Sequence, residues 1–288
     1  MSLFADKPRP ETVSVVTLAD GTERVAWRQG TGRPILLIQG MSGSHYEWGD
    51  DFVNALEASG RQIIGINHRG VCQEEVPAGG YTIADLADDQ AQGLDALGIT
   101  EPIDVFGTSM GGMVAQELVL RHPGKVRTLT LASTSAGGDA MTPPAAEDLI
   151  GLYEAQTSGD EERAARYGFE LYNAPAWCAE PGNFEMFKGL SRHYPTPFET
   201  LLTQLGAVDG YTTAERLPTV TVPTVIVHGT IDRIMPFPNA APLQAAIPGA
   251  ELDVWEEGGH LLHLENGARL AEAINTVSAR RDAAGASA

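Results

Sequence analysis

The chain has 288 residues, 43% of them hydrophobic, which is enough for one large domain or two small ones. Its net charge of −19 and its scattered Lys and Arg residues argue against a nucleic-acid partner, because phosphate backbones attract clustered cations. No stretch is apolar for long enough to span a membrane, and the N-terminus lacks the apolar core of a signal peptide. Cys72 and Cys178 are too few cysteines for a disulfide framework or a four-cysteine metal site. We therefore expect a cytoplasmic protein with an acidic surface and no membrane partner.

Apolar and alternating runs predict strands and helices in the first third of the chain. A β-hairpin is predicted at residues 12–18 and 23–28. Two strands buried on both faces are predicted at residues 34–38 and 62–67. Residues at helical spacing predict helices at about 48–58 and 82–97. Thr82 is placed to cap the second of these helices, and Gly98 is placed to end it.

The next stretch combines a strand, a tight turn and a helix. Residues 103–106 predict a buried strand, residues 107–111 form the pattern G-x-S-x-G, and an apolar run to about residue 122 predicts a helix. In this context the pattern is typical of a nucleophile elbow with Ser109 at its tip. The glycines on either side leave room for the strained turn, and the helix N-terminus can stabilise a developing oxyanion. The alternative interpretation is a Gly/Ser-rich turn without a chemical role.

Strands continue to alternate with helices, which predicts a parallel sheet with helices on both faces. Further strands are predicted at residues 126–132, 223–228 and 252–255. Between the first two of these the alternation stops, and residues 136–217 show only helical pattern with many aromatic side chains. We expect a core of residues 1–135 and 218–279, a helical cap of residues 136–217 over Ser109, and a flexible tail of residues 280–288.

A serine hydroxyl needs a base within hydrogen-bond reach, and the base needs an orienting acid. In a parallel sheet these groups collect at the carboxyl ends of the strands. Asp232 ends the short turn after strand 223–228, and His260 follows two glycines after the last strand. We predict the triad Ser109, Asp232 and His260, with Glu257 as the alternative acid. Asp232 could instead cap the next helix.

Two backbone N–H groups are predicted to form the oxyanion hole. One belongs to Met110, directly after the nucleophile, and the other to Met41 in the loop after strand 34–38. Gly40 lets that loop approach the elbow. Among the other histidines, His45 and His68 follow strands and are candidates for lining the pocket, whereas His228 is a candidate for supporting the acid loop.

Four motifs carry a resemblance to the α/β-hydrolases. They are Gln39-Gly40-Met41, Gly107-Thr108-Ser109-Met110-Gly111-Gly112, Gly229-Thr230-Ile231-Asp232 and Gly258-Gly259-His260. The resemblance implies an eight-stranded, mostly parallel sheet with a helical cap after the sixth strand. It also implies acyl transfer to Ser109 and then to water, with no metal or organic cofactor. The chain departs from the family pattern at Gln39-Gly40, where many relatives have His-Gly, and in the loop 67–74.

Within that family the chain looks most similar to carboxylesterases and lactonases of the aclacinomycin-methylesterase and enol-lactonase kind. We expect a medium-sized apolar ester or lactone as substrate and a monomer or homodimer as the assembly. The residues expected to contact substrate are Gly40, His45, Met113, Tyr172, Trp177 and Phe184. A C–C bond hydrolase, a thioesterase or an acyltransferase with the same triad remains an alternative. A ligand-binding protein that has kept the fold without turnover is a further one.

Overall fold

The computed structural model describes residues 12–72, 79–139, 141–193 and 196–286. The strands are β1 (Thr12–Thr17), β2 (Glu23–Gly30), β3 (Arg33–Ile38), β4 (Arg61–Ile66), β5 (Ile103–Thr108), β6 (Val126–Ala132), β7 (Thr224–Gly229) and β8 (Glu251–Trp255). The helices are α1 (Asp50–Ala58), α2 (Ile83–Ala96), α3 (Met110–Arg121), α4 (Ala146–Thr157), α5 (Glu161–Tyr172), α6 (Pro175–Cys178), α7 (Asn183–His193), α8 (Phe198–Val208), α9 (Ala240–Ala246), α10 (Leu262–Glu265) and α11 (Gly267–Ala286). None of these helices is long and apolar enough to cross a membrane.

The eight strands form one sheet in the order β1-β2-β4-β3-β5-β6-β7-β8. β2 runs antiparallel to β1 and β4, and every other neighbouring pair is parallel. The predicted fold class, an eight-stranded and mostly parallel sheet flanked by helices, is therefore confirmed. Each strand predicted from the sequence forms within two residues of the expected bounds.

The central strands are apolar throughout because both of their faces are covered. In β3, Leu36 and Ile38 point into a core with α2 and α3, while Ile35 and Leu37 point into a second core with α1 and α11. Successive strand residues face opposite sides of a sheet, so an unbroken apolar run is what two covered faces require. All six residues of β5 are buried, which gives Ser109 a rigid support.

Five helices, α4 to α8, lie between β6 and β7, in the stretch predicted as the cap. The two ends of this insertion meet at its base, where Gly137 and Thr212 form an isolated antiparallel bridge. Phe169 is the centre of an apolar cluster within the insertion, and Leu264 of α10 belongs to the same cluster. The helical insertion is therefore packed both on itself and on the core.

The C-terminal tail is a correction to the sequence interpretation. Residues 280–286 are helical, because α11 continues to Ala286, and Asp282 forms ion pairs with Arg33 and Arg127. These ion pairs tie the end of α11 to the N-terminal ends of the interior strands β3 and β6, which alanine-rich composition alone does not reveal. Of the predicted segments, residues 1–11, 73–78, 140, 194–195 and 287–288 lie outside the described residues.

Candidate active site

Three parallel strands carry the predicted triad residues at one edge of the sheet. Ser109 follows β5, Asp232 follows β7 and His260 follows β8. In the sheet β7 and β8 are neighbours, and β6 lies between β5 and β7. The turns after β7 and β8 touch, since the Ile231 N–H donates to the carbonyl of Gly258 at 3.1 Å. Carboxyl ends of parallel strands are where such folds place their functional groups.

The backbone at Ser109 has the strained geometry expected of an elbow. Its φ of 55° and ψ of −125° lie in a region that residues with a side chain rarely occupy. The Ser109 N–H donates to the carbonyl of Ala132 at 2.9 Å, and the Thr134 hydroxyl donates to the Ser109 carbonyl at 2.8 Å. A Cβ at Gly111 would lie 2.2 Å from the carbonyl oxygen of Ile38, so α3 packs on β3 only with glycine there. The surrounding sheet therefore holds the strain in place.

Asp232 and His260 form a hydrogen-bonded pair. Nδ1 of His260 lies 2.8 Å from Oδ2 and 3.0 Å from Oδ1 of Asp232, and both side chains are almost fully buried. Oδ1 also accepts from the N–H groups of Ile234 and Met235 at 2.9 and 2.8 Å. An ionised carboxylate can only accept, so Nδ1 carries the proton and Nε2 keeps its lone pair. A neutral imidazole held in this tautomer can act as a base.

Neither of the other acid or histidine candidates near this pair matches its geometry. Glu257 is exposed, which argues against it as the acid. His228 is fully buried behind Asp232, and its Nε2 donates to the Met235 carbonyl at 2.7 Å. Burial lowers the pKa of His228, so it stays neutral and leaves the Asp232 charge to His260.

The loop after β3 lies against the elbow. A Cβ at Gly40 would lie 3.2 Å from the Cβ of Ser109. Within the described part of the chain, no acceptor pairs with the N–H of Met41 or of Met110, so both remain available to a ligand. Gln39, at the departure from the family pattern, uses its side-chain oxygen to accept from the Gly40 N–H at 3.0 Å.

His68 forms a hydrogen bond to the backbone of the same loop. Its Nε2 donates to the carbonyl of Gln39 at 2.8 Å, and burial lowers the pKa of the His68 ring. The imidazole is therefore a neutral donor at neutral pH. The sequence interpretation placed His68 as a possible pocket residue, whereas the structure gives it a role in holding the loop.

Ser42 connects this loop to the cap. Its φ of 62° is unusual for a serine, and two cap side chains bond to its backbone. The Ser42 N–H donates to Oε1 of Gln204 at 2.7 Å, and the Thr196 hydroxyl donates to the Ser42 carbonyl at 2.6 Å. Gln204 is fully buried. A second cap contact reaches the acid loop, because Arg233 forms a bidentate ion pair with Asp148 of α4.

Three of the residues expected to contact substrate lie beside the predicted triad, and they are Gly40, Tyr172 and Met113. The Tyr172 ring centroid is 6.5 Å from that of His260, and burial raises the pKa of the Tyr172 phenol to about 12. Met113 lies in α3, one turn after Ser109, and is buried in the core beneath the elbow.

The remaining expected contact residues have packing partners of their own. His45 is buried against Trp27, and its backbone N–H donates to the Asn67 side chain at 3.0 Å. Trp177 and Phe184 both pack on the cap residue Phe169, with ring centroids 5.6 and 5.2 Å away. These contacts favour structural roles for His45, Trp177 and Phe184. Tyr194, another aromatic of the insertion, lies outside the described residues.

The sequence interpretation missed the side chains that connect the cap to the loops of the candidate active site. Asp148, Gln204 and Glu265 are distant in sequence from the loops they bond, and no motif marks them. Ordinary polar residues in helical segments give no signal of this kind, because their partners are brought near only by the fold.

Comparison with known proteins agrees with this architecture. The sequence pattern of the alpha/beta hydrolase fold matches residues 33–267. The chain is 30% identical over 268 residues to 2-hydroxymuconate semialdehyde hydrolase of Pseudomonas sp. strain CF600, covering 88% of this chain and 90% of the relative. It is 26% identical over 281 residues to rhodomycin D methylesterase DauP of Streptomyces sp. strain C5, covering 88% of this chain and 94% of the relative.

A solved structure gives the same result. Est816, described as an N-acyl homoserine lactone degrading enzyme, superposes with a TM-score of 0.71 at 27% identity, covering 91% of this chain and 99% of Est816. The family match extends over most of the sheet and includes the positions of Ser109 and Asp232 as well as His260. The chain belongs to the α/β-hydrolase family.

Proposed function

We propose that the protein is a serine hydrolase that cleaves a carboxylic ester or lactone through an acyl-enzyme on Ser109. The observation that supports this most is the buried Asp232–His260 pair, which follows β7 and β8 in the same sheet whose strand β5 leads into the strained Ser109 elbow. A serine at such an elbow contributes little packing, and its conformational cost is consistent with a chemical role. Among the described residues, the N–H groups of Met41 and Met110 have no acceptor, and they can provide the second requirement, a site for negative charge.

The proposed reaction begins with proton transfer from the Ser109 hydroxyl to Nε2 of His260 as Oγ adds to the acyl carbon. The carbonyl electron pair moves to oxygen, and the N–H groups of Met41 and Met110 stabilise that charge. Collapse of the intermediate breaks the bond to the leaving alkoxide, which takes the proton from His260. Water then repeats the sequence, with His260 as its base, and releases the acid and free Ser109. Asp232 stabilises the imidazolium in both halves.

The proposed substrate is a medium-sized apolar molecule. Met41 and Met110 lie at the oxyanion loop and elbow, and Tyr172 presents an aromatic ring beside His260. Such surroundings favour an apolar acyl or alcohol group with few polar contacts. Similarity to a methylesterase and to a lactone-degrading enzyme supports an ester or lactone as the bond that is cleaved.

Hydrolysis of a C–C bond is the second candidate. It is favoured by the similarity to 2-hydroxymuconate semialdehyde hydrolase, whose named substrate is an enol with carboxylate and aldehyde groups and no ester. The same triad can serve this reaction if an aldehyde or ketone carbon replaces the ester carbon at Ser109 and the bond that breaks is a C–C bond. The two candidates differ in the leaving group, which is an alkoxide in one and a carbanion equivalent in the other.

A fluorophosphonate probe and a substrate panel test the proposal. We expect the probe to label the parent protein and a Ser59→Ala control, since Ser59 directly follows α1 and its hydroxyl donates to the Leu56 carbonyl. Ser109→Ala should lose the label and lower kcat by several orders of magnitude. A panel of nitrophenyl esters, aliphatic lactones and vinylogous 1,5-diketones then separates the two candidates. An unlabelled, inactive but folded parent would instead indicate a ligand-binding protein.

A further inference from the structure

Glu265 is a partly buried carboxylate that the proposed reaction does not use. It lies at the end of α10, five residues after His260. Its Oε1 accepts from the Ala174 N–H at 2.9 Å and from the Gly259 N–H at 3.2 Å, and its Oε2 accepts from the Gly259 N–H at 3.0 Å. The described residues offer it no ion-pair partner. The carboxylate therefore bonds two backbone segments, one from the cap and one from the loop that carries His260.

Gly259 is enclosed at this point. A Cβ there would lie 2.5 Å from Oε1 of Glu265, 2.8 Å from the nitrogen of Ala174 and 2.9 Å from the carbonyl carbon of Asn173. The glycine before His260 is thus required by contact with the cap and with Glu265. Its φ is not positive, so the requirement is one of space.

The cap segment 172–174 also bonds the backbone of His260 directly. The carbonyl of Tyr172 accepts from the N–H of His260 at 2.7 Å and from the N–H of Leu261 at 3.2 Å. The loop from Gly259 to Leu261 therefore donates each of its backbone N–H groups either to the cap or to Glu265. The backbone of His260 is then fixed by these hydrogen bonds, and its ring is oriented by the hydrogen bond from Nδ1 to Asp232.

We propose that Glu265 is a positioning residue that couples the cap segment 172–174 to the His260 loop and so sets the orientation of the base. This inference rests on the proposed function, since it assigns His260 the role of base. Burial raises the pKa of the Glu265 carboxyl, and its hydrogen bonds from Gly259 and Ala174 oppose that shift. Gly259 directly precedes His260, so the hydrogen bond from its N–H to Glu265 helps to set the position of the proposed base. A misplacement of about 1 Å in a catalytic group can cost about 100-fold in rate.

Three substitutions separate positioning from general stability. Glu265→Met removes both acceptor oxygens at nearly constant length and should lower kcat about 100-fold. The expected change in KM is less than about threefold, because the Glu265 oxygens are engaged by the N–H groups of Ala174 and Gly259. Glu265→Gln keeps one oxygen that can accept from both N–H groups, so kcat should recover to within about fivefold of the parent. Glu272→Met, at an exposed carboxylate on α11, is the matched control and should leave kcat unchanged.

Ala174→Pro tests the same link from the cap side. The φ of Ala174 is −63°, which proline adopts, and Asn173 before it is extended with φ −122° and ψ 157°. The substitution removes the N–H that donates to Glu265, and the proline Cδ that replaces the amide hydrogen pushes Oε1 away, so the link is broken from the cap side without changing residue 265. We expect a fall in kcat of at least about tenfold with KM nearly constant. This variant also carries the test if Glu265→Met does not fold.

The measurements are kcat and KM per active site, with sites counted by fluorophosphonate labelling and folding checked by circular dichroism and Tm. A lower Tm with unchanged kcat per labelled site in both Glu265→Met and Ala174→Pro would overturn the inference. A fall in kcat for Glu265→Met alone would overturn the coupling to the cap. Failure of the proposed function gives a different result, because the parent itself would then show neither labelling nor turnover.

Discussion

Gly40 lies directly against the side chain of Ser109, so that an added Cβ would be 3.2 Å from the Ser109 Cβ and 3.8 Å from its Oγ. The backbone of Gly40 does not have a positive φ, and alanine can adopt its conformation. We therefore expect Gly40→Ala to crowd Ser109, the proposed nucleophile, while the protein stays folded. The predicted fall in kcat/KM is about 100-fold, measured on the best ester of the panel.

Gly124→Ala is the matched control, because no atom of the described residues lies within 4 Å of a Cβ at that position. It should leave kcat/KM and Tm nearly unchanged. Equal activity of the Gly40 and Gly124 variants would show that the loop after β3, the proposed oxyanion loop, can move away from Ser109 at little cost.

Asp232→Asn should cost far more activity than stability. Oδ1 of Asp232 is bonded to the N–H groups of Ile234 and Met235, so the amide oxygen of asparagine will take that place. The amide nitrogen then faces Nδ1 of His260 and donates to it, which moves the imidazole proton to Nε2 and removes the lone pair that the base needs. The expected loss in kcat is about 10⁴-fold.

Steady-state kinetics and Tm of Asp232→Asn check this prediction, with Glu257→Gln as the control. Glu257 is the exposed carboxylate on the neighbouring loop, and its substitution should leave the rate nearly unchanged. Near-parental turnover in Asp232→Asn would mean that another group orients His260.

Gln204→Met tests whether the cap holds the oxyanion loop. The Ser42 N–H donates to Oε1 of Gln204, and the next residue towards the N-terminus is the proposed donor Met41. Methionine has nearly the same shape and no acceptor oxygen, so the loop loses a hydrogen bond that supports a left-handed serine. We expect kcat to fall about tenfold with little change in KM, since the oxyanion forms only in the transition state.

An oxyanion mimic makes the Gln204 test more specific. Binding of a phenylboronic acid to Ser109 should weaken in parallel with kcat, whereas a neutral substrate analogue should bind as before. Gln156→Met, at an exposed position in the cap, provides the matched control. Unchanged boronate affinity in Gln204→Met would exclude a role for this hydrogen bond.

The cap aromatics should separate into a structural group and a group near the substrate. Phe169 is 1% exposed and packs on Trp177, Phe184 and Phe187, so Phe169→Ala should lower the free energy of unfolding by about 3–5 kcal/mol. Tyr172 lies beside His260, and Tyr172→Ala should change kcat/KM across acyl chain lengths by about 1–3 kcal/mol of transition-state binding. Urea unfolding and kinetics on a chain-length series measure the two effects. A change in stability alone for Tyr172→Ala would remove it from the proposed substrate site.

The sheet and the elbow could be predicted from the sequence because each has a local cause. The run at 34–38 is apolar since both faces of β3 are covered. The last glycine of the Gly-x-Ser-x-Gly pattern, Gly111, is required because a Cβ there would collide with the carbonyl of Ile38. Asp232 and His260 could be proposed because the ends of parallel strands converge. In each case a short stretch of sequence contains the physical requirement.

The contacts of the cap could not be predicted in this way. Trp177 and Phe184 looked suitable for a pocket, but aromatic composition does not distinguish a pocket wall from the interior of a small helical cluster. The pairing of Glu265 with Ala174 spans 91 residues and depends on how the cap sits on α10. Helical polar residues have many alternative partners, and only tertiary packing selects one.

His263 should make the protein less stable in mild acid. It is buried against Trp48, with ring centroids 5.3 Å apart, and burial lowers the pKa of its imidazole from 6.5 to about 3. Between these two values the unfolded chain binds a proton that the folded chain does not, so the stabilisation is complete above about pH 6.5 and is lost as the pH falls. The limiting slope for one such group is about 1.4 kcal/mol per pH unit.

His263→Gln removes this titration and keeps an N–H donor for the backbone carbonyl of Glu47. The free energy of unfolding of parent and variant, measured in urea at pH 7.5, 6.5, 5.5 and 4.5, gives the difference due to His263. We expect the variant to be the less stable protein at pH 7.5, because it loses ring packing on Trp48, and the gap to narrow towards pH 4.5. His68 and His228, which are also buried with lowered pKa values, remain in both proteins, as does Glu47, whose raised pKa of about 7 acts in the opposite direction. Their contributions cancel in the difference, so parallel curves for parent and variant would mean that His263 does not change its protonation on unfolding.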